Sequence, residues 1–261
     1  MADAAAKWTG RAVAFADSYA HLCAHTAAPL LEAAGVTPGL ALLDAGTGSG
    51  TVAALAIARG AAVTAVDAEP SMVALAAASV PEADVRLGRL PDLPFADAAF
   101  DAVVANFVVN HVPDPAAAVA DLARVTRPGG RVAVTVWPRP APPLQQLWND
   151  ILAALEIAPA PSIVPDSLNF PRTPDGVAAL LSKAGLRNVS SRTIEWSHHT
   201  DLESWWIGPA NGMGALGEAL AGRDERTRTR ARHEYERLAA PFLHNDDLIL
   251  PTAALLASGD R

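Results

Sequence analysis

Residues 42–50, LLDAGTGSG, carry a strand, a tight turn and a helix start in succession. Apolar Leu40, Leu42 and Leu43 run into Asp44, glycines follow at Gly46, Gly48 and Gly50, and an alanine-rich run continues from Val52 to Ala58. Glycine in such a turn permits positive φ and leaves no Cβ between backbone and ligand. The helix start beyond it offers amides without intrahelical partners, so the turn is expected to hold an anionic group closely. The next apolar run, Ala62 to Val66, reads as a second buried strand ending in Asp67. A carboxylate about twenty residues beyond a glycine turn can accept hydrogen bonds from both ribose hydroxyls of a nucleoside. A dinucleotide fingerprint wants glycines at its first, third and sixth positions. Counted from Gly46, Thr51 holds the sixth and the extra glycine falls at the fifth, so the match to nicotinamide binding is imperfect.

With 261 residues and 51% hydrophobic content, the chain suits one large domain or one domain plus a cap. A net charge of −8 argues against a nucleic-acid surface, which needs clustered Lys and Arg. Arg223, Arg226, Arg228, Arg230, Arg232 and Arg237 crowd one segment, but Asp224, Glu225, Glu234 and Glu236 interleave with them, as on a solvated helix with mixed ion pairs. The single cysteine, Cys23, excludes an internal disulfide, and its apolar helical setting marks a buried spectator. His198 and His199 lack a third partner at ligand spacing, so no metal is expected. The N-terminus carries Asp3 early, without a basic start and an apolar stretch, and no apolar run has spanning length. The expectation is a soluble, cytoplasmic protein with no membrane partner.

From Trp8 to Leu31 the pattern predicts one or two helices with Phe15, Tyr19, Leu22 and Leu30 on the apolar side. Ser71 is placed to cap a helix through Met72 and Ala74 to Ala78. Asp84 to Leu87 and Ala102 to Ala105 read as the third and fourth strands, which sets Asn106, Phe107, Asn110 and His111 beyond a C-terminal strand end, where open α/β sheets bind ligands. His111 is the best-placed imidazole for proton removal, with local backbone capping or stacking under a cofactor as the alternative. A helix from Pro115 to Arg127 ends at Pro128, Gly129 and Gly130, and Arg131 to Val136 forms the fifth strand with Trp137 at its ligand-facing end. Proline-rich stretches around a helix at 144–155 form an insertion. A core helix at 176–184 and a sixth strand at 188–196 follow, then a second insertion at 197–247 and a last strand within 248–258. Trp137, Trp148, Trp205 and Trp206 lie in or beside the insertions and, with Met213, can build an apolar substrate pocket or the cap's own core.

The order D-x-G-x-G-x-G at residues 44–50 resembles the first motif of class I S-adenosylmethionine-dependent methyltransferases. Leu93-Pro94-Phe95, the Phe100 to Val104 strand FDAVV and the His111 to Pro115 close HVPDP resemble the ubiquinone and menaquinone biosynthesis type of that class, methyltransferase type 11. The resemblance implies a Rossmann-like α/β fold: a doubly wound, seven-stranded, mostly parallel sheet with an antiparallel last strand, plus helical cap and lid insertions. The implied organisation is a helical lid over 1–36, a cofactor-binding core over 37–137, a cap insertion over 138–174, a core helix and strand over 175–196, a helical cap over 197–247 and the last strand over 248–261. S-adenosylmethionine is the implied cofactor and S-adenosylhomocysteine its product. Around it the resemblance places Tyr19, Asp44, Gly46, Thr47, Gly48, Gly50, Asp67, Ala68, Met72, Arg89, Leu90, Asn106, Phe107 and His111. Relatives usually carry Gly-Asp after the third strand. Here Arg89 follows Gly88, which moves adenine recognition to backbone near Arg89 and Leu90 or to Asp92. The activity implied is methyl transfer to a small, aromatic or natural-product-like metabolite of secondary metabolism, by a monomer or homodimer. The alternatives are a protein of the same fold that binds the cofactor without methyl transfer, as a scaffold or a cyclase, and an NAD-dependent oxidoreductase.

Overall fold

The computed structural model describes residues 8–261. Asp3 and the first seven positions of the lid segment lie outside the described residues. Strands β1 (Ala41–Ala45), β2 (Ala62–Asp67), β3 (Asp84–Leu87), β4 (Phe100–Asn106), β5 (Thr126–Val136), β6 (Arg187–Thr200) and β8 (Asp247–Asp260) form one sheet in the order β3-β2-β1-β4-β5-β8-β6. The pairs β1 with β2, β1 with β4, β2 with β3 and β4 with β5 are parallel, and β8 runs antiparallel to both β5 and β6. This is the seven-stranded, doubly wound Rossmann-like sheet expected, with one addition. A two-residue strand, β7 (Leu243–His244), pairs with β8 off the main path.

Period-two alternation in the central strands builds a core on each face of the sheet. Val103 and Ala105 of β4 join Val132, Val134 and Val136 of β5 beneath helices α6 (Pro115–Val125) and α8 (Pro174–Lys183). Ala102, Val104 and Ala133 point the other way, against helices α3 (Ala27–Ala33) and α4 (Thr51–Ala58). A third core lies away from the sheet. There Leu147, Trp148 and Ile151 of α7 (Pro143–Ala154) meet Trp205 of α9 (Leu202–Ala210), Leu216 and Leu220 of α10 (Gly214–Leu220), and Ala231 and Tyr235 of α11 (Glu225–Ala239). The same helix carries ion pairs of Arg232 with Glu236 (2.7 Å) and Arg237 with Glu234 (2.6 Å).

Several local expectations are corrected. The N-terminal segment forms three short helices, α1 (Ala12–Ala16), α2 (Tyr19–Ala24) and α3, rather than one or two. Ser71 does not cap α5 (Pro70–Ser79). Glu69 does, its Oε2 accepting from the N–H groups of Ser71 (2.7 Å) and Met72 (3.0 Å). Pro70 supplies the physical reason: with fixed φ and no N–H it suits the first helical position, so the residue before it becomes the cap. Asp114 before Pro115 and Thr173 before Pro174 cap α6 and α8 in the same way. Helix α6 stops at Val125, and β5 starts at Thr126 with an irregular register before Arg131. Both β6 and β8 are longer than expected because they pair with each other well past the end of β5.

Candidate functional site

The parallel strands deliver Ala45, Asp67, Leu87, Asn106 and Val136 to one edge of the sheet. A cavity of about 1010 Å³ runs along this edge. That is at the upper end of the roughly 300–1,000 Å³ usual for ligand sites, so two small molecules can share it.

At one end lies the glycine turn. Gly46 and Thr47 donate their N–H groups to the Val66 carbonyl (2.8 and 2.9 Å), and Gly48 donates to Asp67 Oδ2 (2.9 Å). These amides are committed to β2, which corrects the expectation that the turn itself holds an anion. The amides that helix geometry leaves over belong to the first turn of α4. Gly46 has φ +77°, and a Cβ there would stand 2.4 Å from Val108 Cγ2. Gly50 faces away from the cavity: a Cβ there would meet Val80 and Ala76 behind the turn.

Two acids line this end of the cavity. Asp44, 1% exposed, accepts from the Thr47 hydroxyl at 2.7 Å. Asp67 accepts from Gly48 and, through Oδ1, from the N–H of Glu69 at 3.0 Å. Burial pushes the Asp44 carboxyl up to about 6 and raises that of Asp67 as well. Among the described residues neither has a basic partner. The pair forms a negative wall suited to a cationic ligand. Asp44 takes up its proton at a higher pH when folded than the ordinary 3.8, so between about pH 4 and 6 the native state binds more protons than the unfolded one and stability falls as pH rises. Asp44→Asn is expected to flatten that slope, which urea unfolding midpoints across this window will read.

Asn110, 3% exposed, lines the same cavity, and neither atom of its side-chain amide has a partner. His111 ends a single 3-10 turn (Val109–His111), half-buried at the cavity with its ring edge-on to Trp8 at 5.9 Å between centroids. Ala68, Met72, Arg89 and Leu90 also line it, beside Trp8 and Phe15. The segment after β3 is set in place from α6. Asp121 accepts from the N–H groups of Asp92 (2.8 Å) and Leu93 (2.7 Å), and Arg124 donates to the carbonyls of Phe95 (2.7 Å) and Leu93 (3.0 Å). Sequence reasoning passed over these two. The available signal was an acid and a base three positions apart in an otherwise apolar helix.

Phe107 leaves β4 with φ +57°, a conformation rare for a bulky side chain. Its N–H is held by the Thr135 carbonyl (3.1 Å) and hydroxyl (2.9 Å), and its ring stacks on Trp137 at 3.8 Å between centroids and 14° between planes. Both rings line the cavity. Asn106 lines the cavity with its amide engaged: its Oδ1 accepts from Thr26 (2.7 Å) and Thr135 (2.6 Å), and its Nδ2 donates to the Cys23 carbonyl (3.0 Å). It pins the α2–α3 corner to the sheet. Tyr19 and Met213 line the cavity under the cap, together with Trp148. Trp205 and Trp206 do not. Trp205, 1% exposed, packs between Tyr19 and Trp148, and Trp206 stacks on Tyr235 under the Arg232 guanidinium. Both serve the cap's own core. Burial raises the Tyr19 phenol well above its ordinary value and pushes the Cys23 thiol up to about 12, so both stay protonated at neutral pH. Among the described residues no group of His, Cys, Asp and Glu is arranged to hold a metal ion, and no helix is long and apolar enough to cross a membrane.

A family model described as a methyltransferase domain matches residues 43–134, from β1 through most of β5. The demethylmenaquinone methyltransferase of Beutenbergia cavernae is 35% identical over 174 residues, which span 63% of this chain and 72% of that protein. Among solved structures, the YcgJ protein of Bacillus subtilis superposes with a TM-score of 0.58 at 23% identity, covering 91% of this chain and 98% of that one. Haemonchus contortus phosphoethanolamine N-methyltransferase 2, solved in complex with S-adenosyl-L-methionine, gives 0.55 at 15% identity over 90% of this chain and 52% of that one. At such identities the structural likeness concerns the fold.

Proposed function

Because this chain belongs to the class I S-adenosylmethionine-dependent methyltransferases, we propose that it methylates a small-molecule metabolite, aromatic or natural-product-like, enclosed under its helical cap. The observation that carries this reading is the single continuous cavity that takes in both the glycine turn with Asp44 and Asp67 and the Phe107–Trp137 stack. The residues present fit the cofactor. Two buried acids without basic partners suit a ligand bearing ammonium and sulfonium charges, and the unpartnered amide of Asn110 awaits a polar group. Asp67 would hold the ribose through the lone pairs its two backbone donors leave over, and Met72 with the backbone at Arg89 and Leu90 would flank the adenine. When bound, S-adenosylmethionine supplies an activated methyl on a sulfonium and departs as a neutral thioether.

What this chain contributes is alignment and exclusion of water. Phe107, locked by Thr135, holds Trp137 as a flat wall against which an acceptor can be positioned. His111, half-buried at the cavity, is the candidate base for an acceptor hydroxyl. The proposal extends to a cytoplasmic enzyme of secondary metabolism, working as a monomer or homodimer. Calorimetry should show saturable binding of S-adenosylhomocysteine, and incubation with methyl-labelled S-adenosylmethionine and a metabolite extract should yield a labelled small molecule. Saturable binding with no label transferred would favour a scaffold or a cyclase, and no binding would end the reading.

A further inference from the structure

We propose that the cap end of the cavity binds an oxyanion, a carboxylate or phosphate ester carried by the methyl acceptor, on the guanidinium groups of Arg139 and Arg172. This rests on the methyl-transfer reading above and adds the charge class of the substrate. Arg139 follows Trp137 just past β5, and Arg172 precedes the Thr173 cap of α8. The two segments are tied where the Arg139 N–H donates to the Arg172 carbonyl at 2.9 Å. Both residues line the cavity and the outer groove beside it.

Several other arginines are paired with acids: Arg124 with Asp121 and Asp97, Arg127 with Asp101, Arg237 with Glu234. Among the described residues neither Arg139 nor Arg172 has a carboxylate within 4 Å, and Arg172 Nε is buried without a partner. Glu195, which borders the outer groove shared by both, forms no ion pair with either. Burial and then the neighbouring Arg139 charge pull the Arg172 guanidinium below its ordinary value. Arg172 is partly withdrawn from water beside a second positive charge, which is costly unless a group of opposite sign completes it.

A third donor points to the same occupant. Gln145 lines the cavity, its Oε1 accepts from the Thr252 hydroxyl at 3.0 Å, and its Nε2 is buried with no partner. The Thr252 bond fixes the amide so that its donor end is the one left over. Asp114, an acid that also lines the cavity, is engaged in capping α6 through the Ala117 N–H at 2.9 Å. Guanidinium and amide N–H groups only donate, so their occupant must bring acceptors, and the planar guanidinium forks match carboxylate and phosphate oxygens. With the Trp137 ring in the same cavity, the fitting acceptor is an apolar or aromatic acid.

The test is calorimetry on the full chain with naphthoate, naphthyl phosphate and the neutral naphthamide, each titrated with and without saturating S-adenosylhomocysteine. At least one anion should bind at least tenfold more tightly than the amide, and whichever binds identifies carboxylate or phosphate ester. Arg139→Gln and Arg172→Gln should each weaken the anion at least tenfold while leaving S-adenosylhomocysteine and naphthamide affinities unchanged. Arg139 is exposed, so its variant keeps the test readable if Arg172→Gln folds poorly. Equal binding of anion and amide, no binding of either anion, or anion affinity unmoved in both variants would overturn the proposal. Failure of S-adenosylhomocysteine to bind removes the methyl-transfer reading instead, and the titrations without it still report on the oxyanion.

Discussion

Asp67→Ala is expected to weaken S-adenosylhomocysteine binding by about 2 to 3 kcal/mol, the loss of charge-assisted hydrogen bonds to the two ribose hydroxyls. The carboxylate is suited to that task because backbone N–H groups of Gly48 and Glu69 fix both its oxygens and, among the described residues, no base neutralises it. The same two bonds brace the glycine turn, so the variant should also unfold at lower urea. Affinity and stability must therefore be measured together, under conditions where the variant is fully folded. Unchanged affinity in a folded Asp67→Ala protein would remove the ribose assignment.

Gly46→Ala should destabilise the fold by about 2 to 5 kcal/mol. An L side chain at φ +77° costs roughly 1 to 2 kcal/mol, and overpacking adds about 1 to 3. Rotating Val108 gives no escape, since its Cγ1 and Cβ would also lie within 3.3 Å of the added methyl. In a domain of this size that corresponds to a Tm lowered by roughly 5 to 15 °C. Gly39→Ala is the matched control: φ is +81° but nothing stands within 4 Å, so only the conformational cost should appear. Equal Tm shifts for the two variants would show that contact with Val108 carries no weight.

Legibility in the sequence followed the range of the interaction. Strands β1 to β4 and the glycine turn rest on local signals: apolar runs, Gly at positive φ and acids at strand ends. The caps of α5, α6 and α8 rest on Pro at the next position, a rule visible in Glu69-Pro70. Interactions closed over long separations were not visible. Asn106 is placed at a ligand-binding edge by its position, yet its amide is occupied by Thr26 and Cys23, about eighty residues earlier. Trp205 and Trp206 sit in an insertion whose helical faces only the packed cap defines. The Arg139–Arg172 tie joins two proline-rich segments that carry no period from which contact could be read. The amides of the glycine turn look free in a strand-turn-helix pattern, and only the parallel neighbour β2 reveals that they are taken.

The overlong pairing of β6 with β8 bears on how molecules come and go. The rungs from Ile194 with Ala254 to Thr200 with Leu248 extend past the last partner of β5, and α9, α10 and α11 grow from the tip of this ribbon. Swinging these helices away as a door would mean tearing a backbone ladder, whereas the short N-terminal turns around Trp8 and Phe15, which also line the cavity, are joined to the rest by no strand pairing among the described residues. Traffic through the mouth therefore belongs to the front of the chain, and amide exchange should be slow along the ribbon and fast at residues 8–18.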